Sequence, residues 1–356
     1  MDVPCAQFTT LKIGGNARFF ARVEREEEVI EGLDFADDND LPMFILGGGS
    51  NVLISDKGFD GLVLQVALMG IAGVNVSVNE RADHAAEDTL LNSRVSARSF
   101  VTASAGEDWD GFVGYCVANN LAGVECLSGI PGSVGGTPVQ NVGAYGQEVS
   151  ETIVSVRCFD RQTKEIVTLA NADCDFTYRT SIFNSMMRDR YIVLNVTFAL
   201  EQGGKPKVTY KDLIDQFGSR QPTLTEVRNA VLRIRRSKSM VIDPDDPNSR
   251  SAGSFFKNPI ISRERLAELR SKYERMPSFE FGESVKVPAA WLIENAGFHK
   301  GFALGNAGIS SNHTLAIINR GGASAAEILM LKTEIQQAVE AKFGISLKPE
   351  PVFVGF

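Results

Sequence analysis

Histidine is scarce in this sequence: only His84, His299 and His313 occur, and no two of them stand at metal-ligand spacing. The five cysteines, Cys5, Cys116, Cys126, Cys158 and Cys174, are odd in number and include no C-x-x-C pair, so neither a disulfide framework nor a thiolate zinc site is expected. They read as small apolar fillers, and no metal is anticipated. Positive charge is short as well. With 36 lysines and arginines against 44 acidic residues the net charge is −8, which argues against a nucleic-acid partner, since phosphate contacts need clustered cations. No run reaches the roughly 18 apolar residues of a membrane span, and the start Met1–Asp2–Val3–Pro4 lacks both the basic and the apolar region of a secretory leader. A cytoplasmic protein without a membrane partner is expected, with any anionic ligand met by local cations.

What the chain does have is glycine, 33 residues in 356, concentrated in a few loops between alternating helix and strand signals. Val29, Ile30, Leu33 and Ala36 recur at helical spacing behind Glu26–Glu27–Glu28, and Met43–Leu46 is a short apolar run ending in glycines, as a buried strand would. Ser99–Ala103 reads as a strand, followed by a helix with Trp109, Phe112, Val113, Cys116 and Val117 on one face. Ile153–Phe159 and Tyr191–Phe198 read as further strands, and residues 80–94 as an exposed polar insertion. A boundary falls near Glu201–Pro206, where glycine, proline and charge interrupt the pattern. Beyond it come a helix through Val227, Val231 and Ile234, another opened by Pro288, and a strand over Thr314–Ile318. The last helix carries a capping box at Ser324 and Glu327, a stripe of Ile328, Leu331, Ile335 and Val339, and a stop at Gly344. The fold class is α+β.

Gly47–Gly48–Gly49–Ser50–Asn51 follows a strand directly, so several backbone N–H groups can point into one concavity and hold a phosphate. The Lys-Ser/Thr of a P-loop and the third glycine of a G-x-G-x-x-G fingerprint are both missing. Taken alone the triplet is a plain tight turn. A second loop, Ser128–Gly129–Ile130–Pro131–Gly132–Ser133–Val134–Gly135–Gly136–Thr137–Pro138, runs into Gln140–Gly146 and holds six glycines and two prolines, a composition that marks a structured functional loop. Two such loops suggest one large phosphate-bearing cofactor.

These segments, with Tyr178–Arg179–Thr180–Ser181–Ile182–Phe183 and Gly253–Ser254–Phe255–Phe256–Lys257–Asn258–Pro259, resemble the UDP-N-acetylenolpyruvoylglucosamine reductase family, flavoenzymes of the vanillyl-alcohol-oxidase-like FAD fold. The likeness runs from Thr10–Gly15 to Pro349–Glu350–Pro351. It implies a two-part FAD-binding module over residues 1–203, with subdomains of about 1–70 and 71–203. A C-terminal α+β substrate-binding domain over 204–356 is implied too, its last residues returning to the active site. It further implies NADPH-dependent reduction of UDP-N-acetylglucosamine enolpyruvate to UDP-N-acetylmuramate, in the peptidoglycan synthesis that serves cell shape and division. NADPH and substrate would share one cleft in turn, giving ping-pong kinetics and substrate inhibition. A monomer is expected.

By the same resemblance FAD is held by Gly47, Gly48, Gly49, Ser50, Asn51, Ser128, Ile130, Pro131, Gly132, Gly135, Gly136, Gly146 and Arg235. Substrate is held by Tyr178, Tyr210, Lys238 and Asn258. Hydride addition to an enolpyruvyl group drives charge onto the neighbouring carbon and carboxylate, which calls for a fixed cation, and Arg179 offers a planar fork that never loses its proton. Ser254 matches the family's proton donor, and a serine so weak as an acid must be held within about 3 Å of the carbon. Glu350, between two prolines, matches the third catalytic residue; protonated, it would donate to the same enolate. Without the motifs, Arg179 is a surface arginine, Ser254 a turn serine and Glu350 an exposed tail carboxylate. The basic run Arg228, Arg233, Arg235, Arg236 and Lys238 is either a solvated face or the answer to a substrate diphosphate. Two other functions stay open: a flavin oxidase using oxygen, which often carries a histidine or cysteine linked to flavin, and a flavin- or nucleotide-sugar-binding regulator without turnover.

Overall fold

The computed structural model describes residues 1–75 and 98–356, so the insertion expected at 80–94 lies outside the described residues. Packing divides the chain into two units. One comprises Met1–Arg22, Glu31–Gln65 and Arg235–Phe356, and the other Val23–Ile30 and Val66–Ile234.

The first unit contains a four-stranded sheet in the order Val3–Pro4, Asn16–Val23, Phe59–Val66, Met43–Leu46. Its last two strands run parallel, with Leu46 opposite Gln65. A second parallel pair joins Val52–Ile54 to Val352–Val354 near the other end of the chain. Between them Cys5, Ala17, Leu46, Val52, Ile54, Val63 and Val354 form a small core. A larger core gathers Leu11, Ile13 and Leu53 with Phe255, Phe256, Leu292 and Ile293, and with the buried stripe Ile328, Leu331, Ile335 and Val339 of the helix Ala325–Phe343. That helix starts as its sequence signals. Ser324 and Glu327 form the capping box, and both carboxylate oxygens of Asp56 accept from the N–H groups of Ala325 and Ala326, at 2.7 and 3.0 Å. Thr314–Ile318 departs from expectation. The strand covers Ile317–Asn319, because the His313 ring takes the Leu315 N–H at 3.0 Å and the Ala316 N–H bonds back to the His313 carbonyl, closing a turn where an apolar run suggested a strand.

The second unit is built on a six-stranded antiparallel sheet. The main order is Glu165–Ala170, Ile153–Asp160, Tyr191–Gln202, Arg98–Ser104, Ile71–Asn75, and Leu121–Ala122 also pairs with Tyr191–Gln202. Ile192, Leu194, Val196 and Phe198 are buried, and Phe198 meets Trp109 and Phe112 of the helix Trp109–Ala118 at ring separations of 6.0 and 4.8 Å. Val227, Ala230 and Val231 pack with Cys126, Leu213 and Phe217, so packing groups residues 204–234 with the middle of the chain. All five cysteines are buried, and burial pushes the Cys116 thiol up to about 12. Among the described residues no helix is long and apolar enough to cross a membrane.

Candidate active site

In the first unit, Gly47–Asn51 leaves the end of its strand as a tight loop fastened from two sides. The Thr10 N–H donates to the Gly49 carbonyl at 3.1 Å while the Thr10 hydroxyl donates to the Ser251 carbonyl at 2.6 Å. Gly49 has φ +65°, and a Cβ there would sit 1.8 Å from the Phe8 carbonyl oxygen. No side chain fits. Gly49 is buried, yet among the described residues no acceptor takes its N–H. An unmet buried donor in a glycine loop at a strand's carboxyl end fits a bound phosphate, so the loop suits the diphosphate of FAD. On the far side, Asn51 Nδ2 donates to the Glu350 carbonyl at 3.2 Å and the Val352 N–H donates to the Asn51 carbonyl at 3.0 Å.

Ser254 is half-buried and follows Gly253, with Phe255 and Phe256 sunk into the core behind it as their aromatic character suggests. The Phe255 N–H donates to the Leu315 carbonyl at 2.7 Å, and its carbonyl accepts the Glu350 N–H at 2.9 Å. Lys257 N–H bonds to the Lys348 carbonyl at 2.9 Å. The segments bearing Ser254 and Glu350 are therefore neighbours, and Glu350 is tied to the glycine loop as well. Asn258 Oδ1 accepts the Ala289 N–H at 2.8 Å, which caps the helix Ala289–Asn295 and fixes the orientation of its amide. Arg235 is buried and donates through Nη2 to the Met240 carbonyl at 2.7 Å. Sequence reading missed His313. Burial, and then the positive charges of Lys238, Lys300 and Arg235, push it down to about 4, so a neutral imidazole stands among three cations.

In the second unit, the loop Ser128–Gly146 is fixed mainly by residues the sequence did not single out. Asp110 accepts the Gly129 N–H at 2.6 Å and pairs with both terminal nitrogens of Arg228. Arg228 thus supports the loop and is not part of a free cationic run. Buried Glu125 accepts from Gly123, Gln147 and Lys207, each at 2.8 Å. Ser128 is buried too and spends its hydroxyl on the Glu125 carbonyl at 2.7 Å. Ile130, Pro131, Gly132 and Gly135 are half-buried along the loop, and Gly136 and Gly146 are exposed.

Arg179 has φ +55°, a backbone form that L-residues adopt reluctantly. It is held there by reciprocal hydrogen bonds between Thr177 and Thr180, at 3.0 and 3.1 Å, and by Asn184 Nδ2 on its carbonyl. Its guanidinium donates to the carbonyls of Asn141 and Gly143 and lies 5.1 Å from the Tyr178 ring centroid. Gly143 leaves room for this, since a Cβ there would stand 3.0 Å from Arg179 Nη1. Asn141 is the hub: it is buried, donates to Glu148 and the Thr177 carbonyl, and accepts the Ser150 N–H. Tyr210, exposed, meets Tyr145 edge-on at 5.3 Å.

Residues 17–170 match the model of an FAD binding domain, and residues 245–354 match that of the UDP-N-acetylenolpyruvoylglucosamine reductase C-terminal domain. The UDP-N-acetylenolpyruvoylglucosamine reductase of Thermobifida fusca is 44% identical, covering 99% of this chain and 97% of that protein. That of Streptomyces coelicolor is also 44% identical, covering 99% and 90%. The crystal structure of the Thermus caldophilus UDP-N-acetylenolpyruvylglucosamine reductase superposes with a TM-score of 0.65 at 22% identity, over 99% of this chain and 98% of that one, and shows the same fold. With both domains matched and close relatives aligned along its whole length, the chain belongs to the UDP-N-acetylenolpyruvoylglucosamine reductase family.

Proposed function

We propose that the chain reduces UDP-N-acetylglucosamine enolpyruvate to UDP-N-acetylmuramate with NADPH, and that Arg179, Ser254 and Glu350 handle the charge and the proton in that step. FAD-dependent reductase activity in peptidoglycan synthesis follows from family membership; the division of labour among residues is our reading. When bound, FAD relays a hydride from NADPH to the terminal carbon of the enolpyruvyl group. Arg179 then offsets the negative charge that spreads over the neighbouring carbon and its carboxylate. Ser254 delivers the proton to that carbon, and Glu350, protonated, donates a hydrogen bond to the enolate.

Gly47 to Asn51, Ser128, Ile130, Pro131, Gly132, Gly135, Gly136, Gly146 and Arg235 are assigned to FAD; since the Ser128 side chain is spent locally, its part falls to the backbone. Tyr178, Tyr210, Lys238 and Asn258 are assigned to substrate. Residues 1–203 serve the flavin and 204–356 the sugar nucleotide, in a cytoplasmic monomer with no nucleic-acid partner. The single observation that carries the role assignment is the backbone hydrogen bond from Glu350 to Phe255, which sets the segments bearing Ser254 and Glu350 side by side.

The test is a visible spectrum of the purified protein before and after anaerobic NADPH, then after the enolpyruvyl sugar nucleotide. Bleaching by NADPH and return of colour with substrate is the expected result. A flavin that NADPH leaves oxidised would favour the regulator, and reoxidation only by oxygen would favour the oxidase.

A further inference from the structure

Among the described residues, one buried side-chain polar atom lacks a hydrogen-bond partner: Oε1 of Gln65. Leaving such an acceptor unmet is costly, and folds seldom keep one unless something outside the chain supplies the donor. Its place indicates what that is. Gln65 stands opposite Leu46 where two parallel strands end, and the chain passes from Leu46 straight into Gly47–Asn51. Side chains alternate along a strand, so Gln65 shares the face of Val63, which joins Leu46, Val52 and Ile54 in the small core. Leu64 lies on the opposite face, toward Gly32. The amide thus sits on the glycine-loop side of the sheet, at the carboxyl ends of parallel strands, where open α/β layers receive ligands.

An amide oxygen only accepts, and an ionised diphosphate has no proton to give, so Oε1 of Gln65 finds no partner in the phosphates themselves. It suits a hydroxyl next to them. We infer that Gln65 is a further cofactor-binding residue, accepting a hydrogen bond from a sugar-alcohol hydroxyl that flanks the diphosphate held by Gly47–Asn51. The inference rests on reading that loop as the FAD cradle. The hydroxyl belongs either to the ribityl chain or to the adenosine ribose, and FMN, which has only the first, separates them.

The experiment strips flavin from the full-length protein and measures FAD and FMN binding by fluorescence quenching, for wild type, Gln65→Leu and Gln65→Met. The thermal midpoint of each flavin-free protein is recorded alongside. Both variants should bind FAD about ten-fold more weakly, while the flavin-free midpoint holds or rises because an unmet acceptor has been removed. Weakening with both flavins identifies the ribityl hydroxyl, and weakening with FAD alone the ribose. Affinities within about two-fold of wild type overturn the inference, above all if the flavin-free midpoint falls, since the amide would then serve only the fold. A wild-type protein that takes up no flavin brings down the cradle and this inference together.

Discussion

The backbone N–H of Glu350 donates to the carbonyl of Phe255 at 2.9 Å, so the residue after Ser254 and the residue before Pro351 are joined by one hydrogen bond. Neither end can shift without the other. The serine loop is also backed by two buried rings, Phe255 and Phe256, whose centroids lie 5.5 Å apart. Such a support suits an acid whose reach matters more than its strength.

In the proposed role, Ser254→Ala leaves flavin reduction by NADPH near normal and slows reoxidation by the enolpyruvyl substrate about 100- to 10,000-fold. Stopped-flow absorbance of the two half-reactions distinguishes this from an equal loss in both, which would remove Ser254 from proton transfer.

Lys238→Ala is expected to raise KM for the sugar nucleotide about ten-fold or more with a smaller change in kcat, as losing uniform binding of a phosphate does. Steady-state kinetics at constant ionic strength provide the check, and an unchanged KM takes Lys238 out of the nucleotide site.

Asn141→Ala removes a buried side chain that joins Glu148, Ser150 and Thr177 beneath Arg179. Denaturant unfolding should lose about 2–3 kcal/mol, because buried partners are left unmet, and substrate reoxidation should slow as the Arg179 turn loosens. Wild-type stability in this variant would mean that the hub is dispensable.

His313 makes stability fall in acid. Its folded value is pushed below the ordinary one, to about 4, so between there and about 6.5 the unfolded chain binds the extra proton. The contribution is complete above about 6.5 and is lost as pH drops toward 4, amounting to at most about 3 kcal/mol. Denaturation midpoints of wild type and His313→Gln, measured from pH 7 to pH 4, should converge with acidification. Parallel curves would contradict a neutral buried imidazole.

What the sequence made legible was local. The capping box at Ser324 and Glu327, the stripe behind it, and the paired phenylalanines that anchor the Ser254 turn are signalled within a few residues, because helix capping and apolar spacing act at that range. Asp110, Glu125 and Asn141 gave no such signal. Each works by pairing a polar side chain with groups distant in sequence, Asp110 with Arg228 for instance, and hydrophobic periodicity is blind to that. The same blindness turned Arg228 into a candidate phosphate ligand and Thr314–Ala316 into strand, where a histidine ring had captured an amide.

The parallel ladder of Val52–Ile54 with Val352–Val354 has a consequence for the growing chain. A ribosome adding about 5–20 residues per second needs roughly 15–60 s to travel from the first of these strands to the second. Through that interval the early strand waits with an open edge, while all of Val66–Ile234 emerges and can close on its own sheet. Biosynthesis therefore completes the interior of the chain before its beginning, and nascent protein stalled short of residue 352 exposes an edge to which other unfinished copies can add.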